Sequence, residues 1–103
     1  MAARLDGTLL VIDRCVWVSY VDQRYLVVWP SSYGWRLRAG VLQILERDRT
    51  VVATQGGPIS IGGGEVARTE NEAQSVVQEL TGTAIPARCG AALVWSTGGV
   101  ITE

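Results

Sequence analysis

Short strand-like segments, separated by residues that favour turns, follow one another through the first sixty residues of the chain. Apolar and polar residues often alternate within them, as expected for strands with one face toward a core. Such segments, at this spacing, are typical of sandwiches and barrels and argue against alternating β-α-β units. The predicted strands cover residues 7–12, 15–20, 24–29, 35–38, 41–46, 50–54, 58–61 and 91–96.

One segment, at about residues 69–81, has the period of a helix instead. Thr69 and Glu72 have the spacing of a capping box, and Gly82 suits the position that follows a helix C-terminus. One side of this helix is apolar. That side consists of Ala73, Val76, Val77 and Leu80. We therefore expect a single helix that lies on the β-structure and plugs one end of it.

The fold prediction is a mainly β protein, a small antiparallel OB-like or SH3-like barrel with one short capping helix. A two-layer α+β sandwich is the alternative. With 103 residues, of which 48% are hydrophobic, the chain is expected to form one domain over residues 1–103. The prediction places a hairpin turn at Asp22-Gln23, a bend at Gly40, and the end of the β region at residues 62–64.

The aromatic and cationic side chains concentrate around the end of the third predicted strand, which is apolar on both faces. Trp29 ends that strand, Tyr33 lies in the loop behind it, and Trp35 opens the next strand. Strand alternation puts Trp35 and Leu37 on one face of that strand and Arg36 and Arg38 on the other. Trp and Tyr stack on bases or sugars and anchor protein partners, and Arg holds phosphates in OB-type barrels. We therefore predict a binding surface made of the three aromatic residues and the two arginines, with Tyr33 exposed and Trp29 also suited to the core.

The composition excludes several kinds of catalysis. The chain contains no His and no Lys. The usual acid–base group at neutral pH, the commonest metal ligand and Schiff-base chemistry are therefore missing. Two cysteines cannot form a four-Cys zinc site. We predict a non-catalytic binding or structural module, not an enzyme, with no metal and no cofactor.

Two other functions stay open on the sequence. A pair of the ten Asp and Glu residues could perform carboxylate-based hydrolysis, although no spacing selects a pair. An OB-like barrel with aromatic and Arg side chains could bind single-stranded nucleic acid, but the net charge of −1 argues against it. The expected partner is a protein or a small ligand. Homo-oligomers through an edge strand, such as residues 58–61, are a further interpretation.

Cys15 and Cys89 are the only cysteines. From the residues alone, a disulfide bond and two buried free thiols are both acceptable. No signal peptide is recognised, and no apolar run approaches the roughly 18 residues of a membrane-spanning helix. All nine positive charges are arginine, a usage typical of GC-rich genomes. The compartment stays open: extracytoplasmic if the cysteines are oxidised, cytoplasmic otherwise.

Several motifs together resemble a group of small uncharacterised bacterial proteins, many of them exported or lipoprotein-like. The resemblance rests on a strand that ends in Val28-Trp29-Pro30, a Gly63-Gly64-Glu65 segment and two widely separated cysteines. It spans about residues 7–95 and implies a β-barrel fold. It also implies a disulfide between Cys15 and Cys89. The group has no established activity, so the resemblance implies no mechanism.

Overall fold

The computed structural model describes residues 3–12, 14–47, 49–82, 85–86, 89–90 and 93–101. Within this part the chain forms eight strands and one helix, which confirms the mainly β prediction. In chain order they are β1 (Ala3–Ile12), β2 (Cys15–Tyr20), β3 (Gln23–Val28), β4 (Gly34–Arg38), β5 (Val41–Leu45), β6 (Val51–Thr54), β7 (Pro58–Ala67), α1 (Glu70–Thr81) and β8 (Val94–Ser96). The predicted turn at Asp22-Gln23 lies one residue earlier, because Gln23 already pairs with Tyr20.

Five strands close into a barrel in the order β1-β2-β3-β8-β7. Three consecutive strands are followed by a long connection that returns β7 to the free side of β1, which is a Greek key. The barrel is confirmed, but it is not wholly antiparallel, because β8 runs parallel to β3. Strand directions cannot alternate all the way around a closed ring with an odd number of strands. In a five-stranded barrel at least one neighbouring pair must therefore be parallel.

The connection between β3 and β7 forms a separate sheet in the order β4-β5-β6. The bend predicted at Gly40 is instead a hairpin turn between β4 and β5, in which Ala39 and Gly40 have φ of 53° and 79°. The sheet is joined to the barrel beyond β6. There the backbone of Leu9 in β1 accepts a hydrogen bond from Gly56 at 2.7 Å and donates one to Gly57 at 3.1 Å.

Alternation along the barrel strands creates two apolar layers. One cluster fills the barrel and the space under the β4–β6 sheet. It contains Leu5, Leu9, Val18, Tyr25, Val27, Leu42, Ile44, Ala53, Ile59, Ile61 and Trp95. The second lies between the outer face of the barrel and α1. It contains Cys15, Trp17, Ala67, Ala73, Val77, Ile85, Cys89 and Val94. This explains why β3 is apolar on both faces.

The helix has the predicted ends. The Thr69 hydroxyl accepts a hydrogen bond from the Glu72 backbone N–H at 3.2 Å, and Gly82 has the left-handed conformation of a helix cap. Ala73 and Val77 are its buried residues. Because they pack on the outer face of the barrel, the helix covers a side of the barrel instead of plugging its end.

Strand β7 is longer than predicted, and it contains the glycines that were expected to end the β region. Gly63 lies so close to β8 that a Cβ atom there would overlap the Ser96 carbonyl oxygen. The interpretation of residues 58–61 as an exposed edge strand is wrong. The segment pairs with β1 on one side, and on the other Ile61 bridges to Val100, while Ile101 donates a hydrogen bond to Ser60 at 2.8 Å.

Candidate binding surface on strand β4

All five residues of β4 are exposed, which is unusual for a strand that carries large apolar side chains. Trp35 is 66% exposed and Leu37 is 64% exposed. The two are separated by one residue and therefore project from the same face of the strand. Single exposed apolar residues are common on proteins, but adjacent ones of this size form a patch that a partner can cover.

The exposure follows from where the sheet lies on the barrel. Trp35 is opposite Ile44 of β5, and Leu37 is opposite Leu42, so all four side chains share one face of the sheet. Ile44 and Leu42 are only 3% and 6% exposed, because β5 packs on the barrel. Strand β4 lies beyond the contact between β5 and the barrel, and we therefore call it the overhanging strand. Its inner face continues the apolar layer of the core into solvent.

Two grooves run beside the overhanging strand. One has a volume of about 460 Å³ and lies between Trp35 and Leu37 on one side and Val11 and Val16 of the barrel on the other, with Arg14 also in its wall. The described residues that line it are apolar except for Arg14. This groove is the space that an added segment would fill if it extended the inner face of the sheet beyond β4.

The second groove lies on the other side of Trp35 and has a volume of about 530 Å³. Its walls include Pro30, Val77, Pro86 and both half-cystines, and it shares Arg14, Val16 and Trp35 with the first groove. Both volumes lie in the range of ordinary ligand pockets. Trp35 therefore separates two apolar depressions, and Arg14 is the arginine that the described residues contribute to both walls.

The outer face of the same strand is cationic. Arg36 donates a hydrogen bond to the Gln43 side chain at 2.8 Å, and neither Arg36 nor Arg38 forms an ion pair with a described carboxylate. A polar cleft of about 610 Å³ beside Arg36 also carries Arg47 and Arg49. Residues 31–54 contain four positive and two negative charges (+2), and the rest of the chain contains five positive and eight negative (−3). The sheet is therefore the cationic part of a slightly acidic protein.

Tyr33 differs from the prediction, because it is half-buried and its hydroxyl is used inside the protein. The hydroxyl accepts a hydrogen bond from the Val100 backbone N–H at 2.9 Å and donates one to Glu46 Oε1 at 3.2 Å. Its ring stacks on Trp29, with centroids 6.0 Å apart and planes at 30°. Trp29 is half-buried against the barrel core. Both residues support the site more than they form its surface.

Burial raises the pKa of the Tyr33 hydroxyl above its ordinary value of 10.0, and the nearby carboxylate of Glu46 raises it further. The hydrogen bond from Val100 acts in the opposite direction, since it favours the ionised form. The phenol is therefore neutral at physiological pH. A neutral phenol can donate to Glu46 and accept from Val100 at the same time, which holds the loop before β4 in place.

The structure thus brings together three of the five predicted site residues as a surface, namely Trp35, Arg36 and Arg38. The prediction missed the participation of Leu37, although the alternation of residues 35–38 had placed it beside Trp35. It also missed Arg14 in the groove walls and Arg47 and Arg49 in the polar cleft. Nothing in the local sequence shows that these arginines approach β4, because the approach depends on the fold.

Few acid, base or metal-ligating side chains line this surface among the described residues. Among the described residues, Glu46 is the acidic one in the wall of the polar cleft, and those that line the two apolar grooves include none. No group of three or more His, Cys, Asp or Glu side chains among the described residues could hold a metal ion. Ser31 and Ser32 lie in the wall of the polar cleft, where Glu46 is the carboxylate among the described lining residues and already accepts a hydrogen bond from Tyr33. What the site presents is apolar area and positive charge.

Cys15 and Cys89 form a disulfide-bonded pair whose Cα atoms are 5.8 Å apart. The bond links the start of β2 to the segment between α1 and β8 across 74 residues of sequence. Both residues are buried beside Val77 and Ile85, so the bond belongs to the layer under the helix and also reaches the wall of the larger groove. The cysteine pairing implied by the resemblance is therefore present in the structure.

No known family model, no curated protein sequence and no solved structure matches the chain. The resemblance to small exported bacterial proteins therefore stays a prediction. Among the described residues, no helix has the length and apolar character needed to cross a membrane.

Proposed function

We propose that this protein is a non-catalytic module that binds a protein partner through the overhanging strand β4. The observation that carries the proposal is the joint exposure of Trp35 and Leu37 on the inner face of a sheet whose other inner residues are buried. A partner that covers this face would complete an apolar layer that the chain itself leaves unfinished. The neighbouring arginines would then contact acidic groups of the partner.

The apolar area is large enough to matter for affinity. A Trp side chain buries about 150–250 Å² in an interface, and burial stabilises by roughly 25 cal/mol per Å². Covering the exposed parts of Trp35 and Leu37 would contribute about 4 kcal/mol before the cost of association. Trp and Arg are also the residue types most enriched among interface hot spots. The charge of the sheet would orient an acidic partner during encounter.

The scaffold supports a binding role. A five-stranded Greek-key barrel is the scaffold of OB folds, which many binding proteins use, although here α1 covers the outer face of β2 and β3. The open surface lies instead on the β4–β6 sheet, which follows β3 in the chain. The Tyr33 hydrogen bonds tie down the loop before β4, and the disulfide crosslinks a wall of the larger groove, which should lower the entropy lost on binding.

We infer an extracytoplasmic location from the same disulfide, because disulfide bonds persist in oxidising compartments. Mass spectrometry of the protein alkylated directly in cell extracts, before and after reduction, tests this. A protein that is fully alkylated without reduction contradicts the location.

Single-stranded nucleic acid is the second candidate. The observation in its favour is an exposed Trp35 in a segment with four arginines, since bases stack on aromatic rings and Arg contacts phosphate. It ranks second because Leu37 and the apolar groove offer nothing to a charged backbone. Titration of the protein with oligothymidine at two salt concentrations tests whether it binds single-stranded nucleic acid. Binding that weakens steeply with salt would favour nucleic acid over protein.

Site-specific photo-crosslinking in the cells that express the protein tests the proposed function. A photoreactive phenylalanine analogue replaces Trp35 or Leu37, and a control replaces Leu80, which is 54% exposed on the helix. We expect the same crosslinked protein from the two β4 positions and none from the control. The double charge reversal R36E/R38E should reduce its yield at least tenfold. Equal yields at all three positions, or adducts only at Leu80, would overturn the proposal.

A further inference from the structure

The backbone of β4 has one hydrogen-bonding edge that no other described strand uses. The turn at Ala39 and Gly40, with positive φ at both residues, is of the type that closes on a bonded pair, here Arg38 and Val41. Because bonded and non-bonded pairs alternate, Arg36 also bonds to β5, whereas Trp35 and Leu37 direct their N–H and C=O groups away from it.

Contacts on the far side of β5 agree with this assignment. Leu42, which is opposite Leu37, donates its N–H to the side chain of Gln55 at 3.1 Å and accepts from the Gln55 backbone at 2.8 Å. Its backbone groups therefore face β6 and not β4. Strand β4 thus presents two peptide groups, those of Trp35 and Leu37, at an open edge.

The apolar groove lies where a strand added to this edge would place its inward side chains. Such a strand would continue the sheet beyond β4, so alternate side chains would enter the space walled by Val11, Val16 and Leu37. The side chains between them would lie on the outer face, next to Arg36 and Arg38. The inner face therefore favours apolar side chains in an added strand, and the outer face favours side chains that pair with arginine.

We propose that an extended segment of the protein partner adds to β4 as a fourth strand, with apolar side chains facing the groove and acidic side chains facing Arg36 and Arg38. This inference rests on the proposed function and specifies its partner and its geometry. Main-chain hydrogen bonds would supply register and affinity, and the alternating pockets would supply specificity, as in other cases of strand addition.

Charge argues against a second copy of this chain as the occupant. Two copies of β4 could pair antiparallel in two main registers. If all five residues pair, Arg36 of one copy lies opposite Arg36 of the other. If the pairing is centred on Leu37, Arg36 lies opposite Arg38. Like charges directly opposite each other destabilise a strand pair. An acidic segment replaces this repulsion by attraction at the same positions.

The probe is a capped peptide, Val-Glu-Val-Glu-Val-Glu-Val, titrated into the isotope-labelled protein and followed by NMR amide exchange. We expect exchange at the Trp35 and Leu37 amides to slow at least tenfold, and exchange at Arg36, which already bonds to β5, to change little. A peptide of the same composition without alternation, and one with lysine in place of glutamate, should bind at least tenfold more weakly.

Two variants of Leu37 distinguish main-chain pairing with β4 from contact with the side chains on its inner face alone. Leu37→Pro removes the outward N–H without removing a bond to β5, whereas Leu37→Ala removes the side chain and keeps the N–H. Strand addition predicts that the proline variant loses peptide affinity at least fivefold more than the alanine variant. Equal losses would contradict it. Thermal unfolding of both variants confirms that they fold. The R36E/R38E variant, which should prefer the lysine peptide, tests the charge complementarity of the proposal without a backbone change.

The possible failures are distinguishable. Peptide binding without protection of the Trp35 and Leu37 amides would overturn strand addition and leave the protein-binding surface in place. Absence of peptide binding, together with specific crosslinks at Trp35, would overturn the acidic-segment inference only. Crosslinks absent at both β4 positions would remove the surface itself. Concentration-dependent dimers that protect the same two amides would overturn the argument against a second copy.

Discussion

The hydroxyl oxygen of Tyr33 accepts a hydrogen bond from the backbone N–H of Val100 at 2.9 Å, across 67 residues of sequence. This contact joins the loop before β4 to the segment that follows the last barrel strand. The same segment bridges to Ile61 and is bonded through Gly99 to Gly62 of β7. The position of the overhanging strand therefore depends on the segment around Val100, which follows β8.

Replacement of Tyr33 by Phe keeps the ring that stacks on Trp29 and removes both hydrogen bonds of the hydroxyl. We expect the free energy of unfolding to fall by about 1–3 kcal/mol, because the Val100 N–H is left without its partner. Chemical denaturation measures this. The matched control is Tyr20→Phe, at a half-exposed tyrosine where a change within about 0.5 kcal/mol is expected. Equal losses in the two variants would mean that the hydroxyl does not hold the loop.

Stability should fall at alkaline pH for a related reason. The pKa values of Tyr33 and Tyr25 are raised in the folded state, mainly by burial. The folded protein thus retains protons that the unfolded chain loses. This contribution is fully present below the unfolded pKa of 10.0 and is lost as the pH rises toward the folded values. Unfolding free energies across roughly pH 9 to 11 should decline, and Y33F should decline less steeply. A decline that is unchanged in Y33F would contradict the role of Tyr33.

How far the sequence predicts this structure depends on how local each feature is. The ends of α1 follow from Thr69, Glu72 and Gly82, which act within a few residues, and they were predicted well. The alternation in β2 and the apolar character of β3 on both faces are local as well. They indicate which strands are covered twice, by the barrel core and by the helix.

Features set by distant contacts were not predicted. The glycines of β7 resemble a turn because their role, close approach of Gly63 to Ser96, depends on a strand 33 residues later in the chain. The exposure of Trp35 depends on how far β4 extends past the barrel, which no property of residues 34–38 reveals. The sequence identified the aromatic and cationic strand but not the groove beside it.

The close approach of β7 and β8 makes Gly63 intolerant of a side chain. A Cβ atom at Gly63 would overlap the Ser96 carbonyl oxygen and lie 2.9 Å from Thr97 Cα, and its φ of 116° disfavours other residues. We expect Gly63→Ala to lower the free energy of unfolding by more than about 2 kcal/mol. Gly64→Ala is the matched control, since nothing lies within 4 Å of its Cβ position. A tolerated Gly63→Ala would show that the two strands can separate at no cost.

Removal of the disulfide should destabilise the fold without changing its topology. For a loop closed across 74 residues, the chain-entropy model predicts that C15A/C89A loses about 4 kcal/mol of stability. Reduction of the wild-type protein should give a similar loss, measured by denaturation with and without reductant. If the variant and the reduced protein differ by several kcal/mol, the effect comes from packing around Cys15 and Cys89 instead of from the bond.

The overhang of β4 predicts that its apolar side chains serve binding and contribute little to stability. Trp35→Ser and Leu37→Ser should change the free energy of unfolding by less than about 0.5 kcal/mol, because neither side chain is buried in the free protein. Leu42→Ala, on the same face but under the sheet, should cost about 2–5 kcal/mol. Denaturant titrations of all three variants measure this contrast. A loss near 2 kcal/mol for Trp35→Ser would place Trp35 in the core of the protein and remove it from the proposed interface.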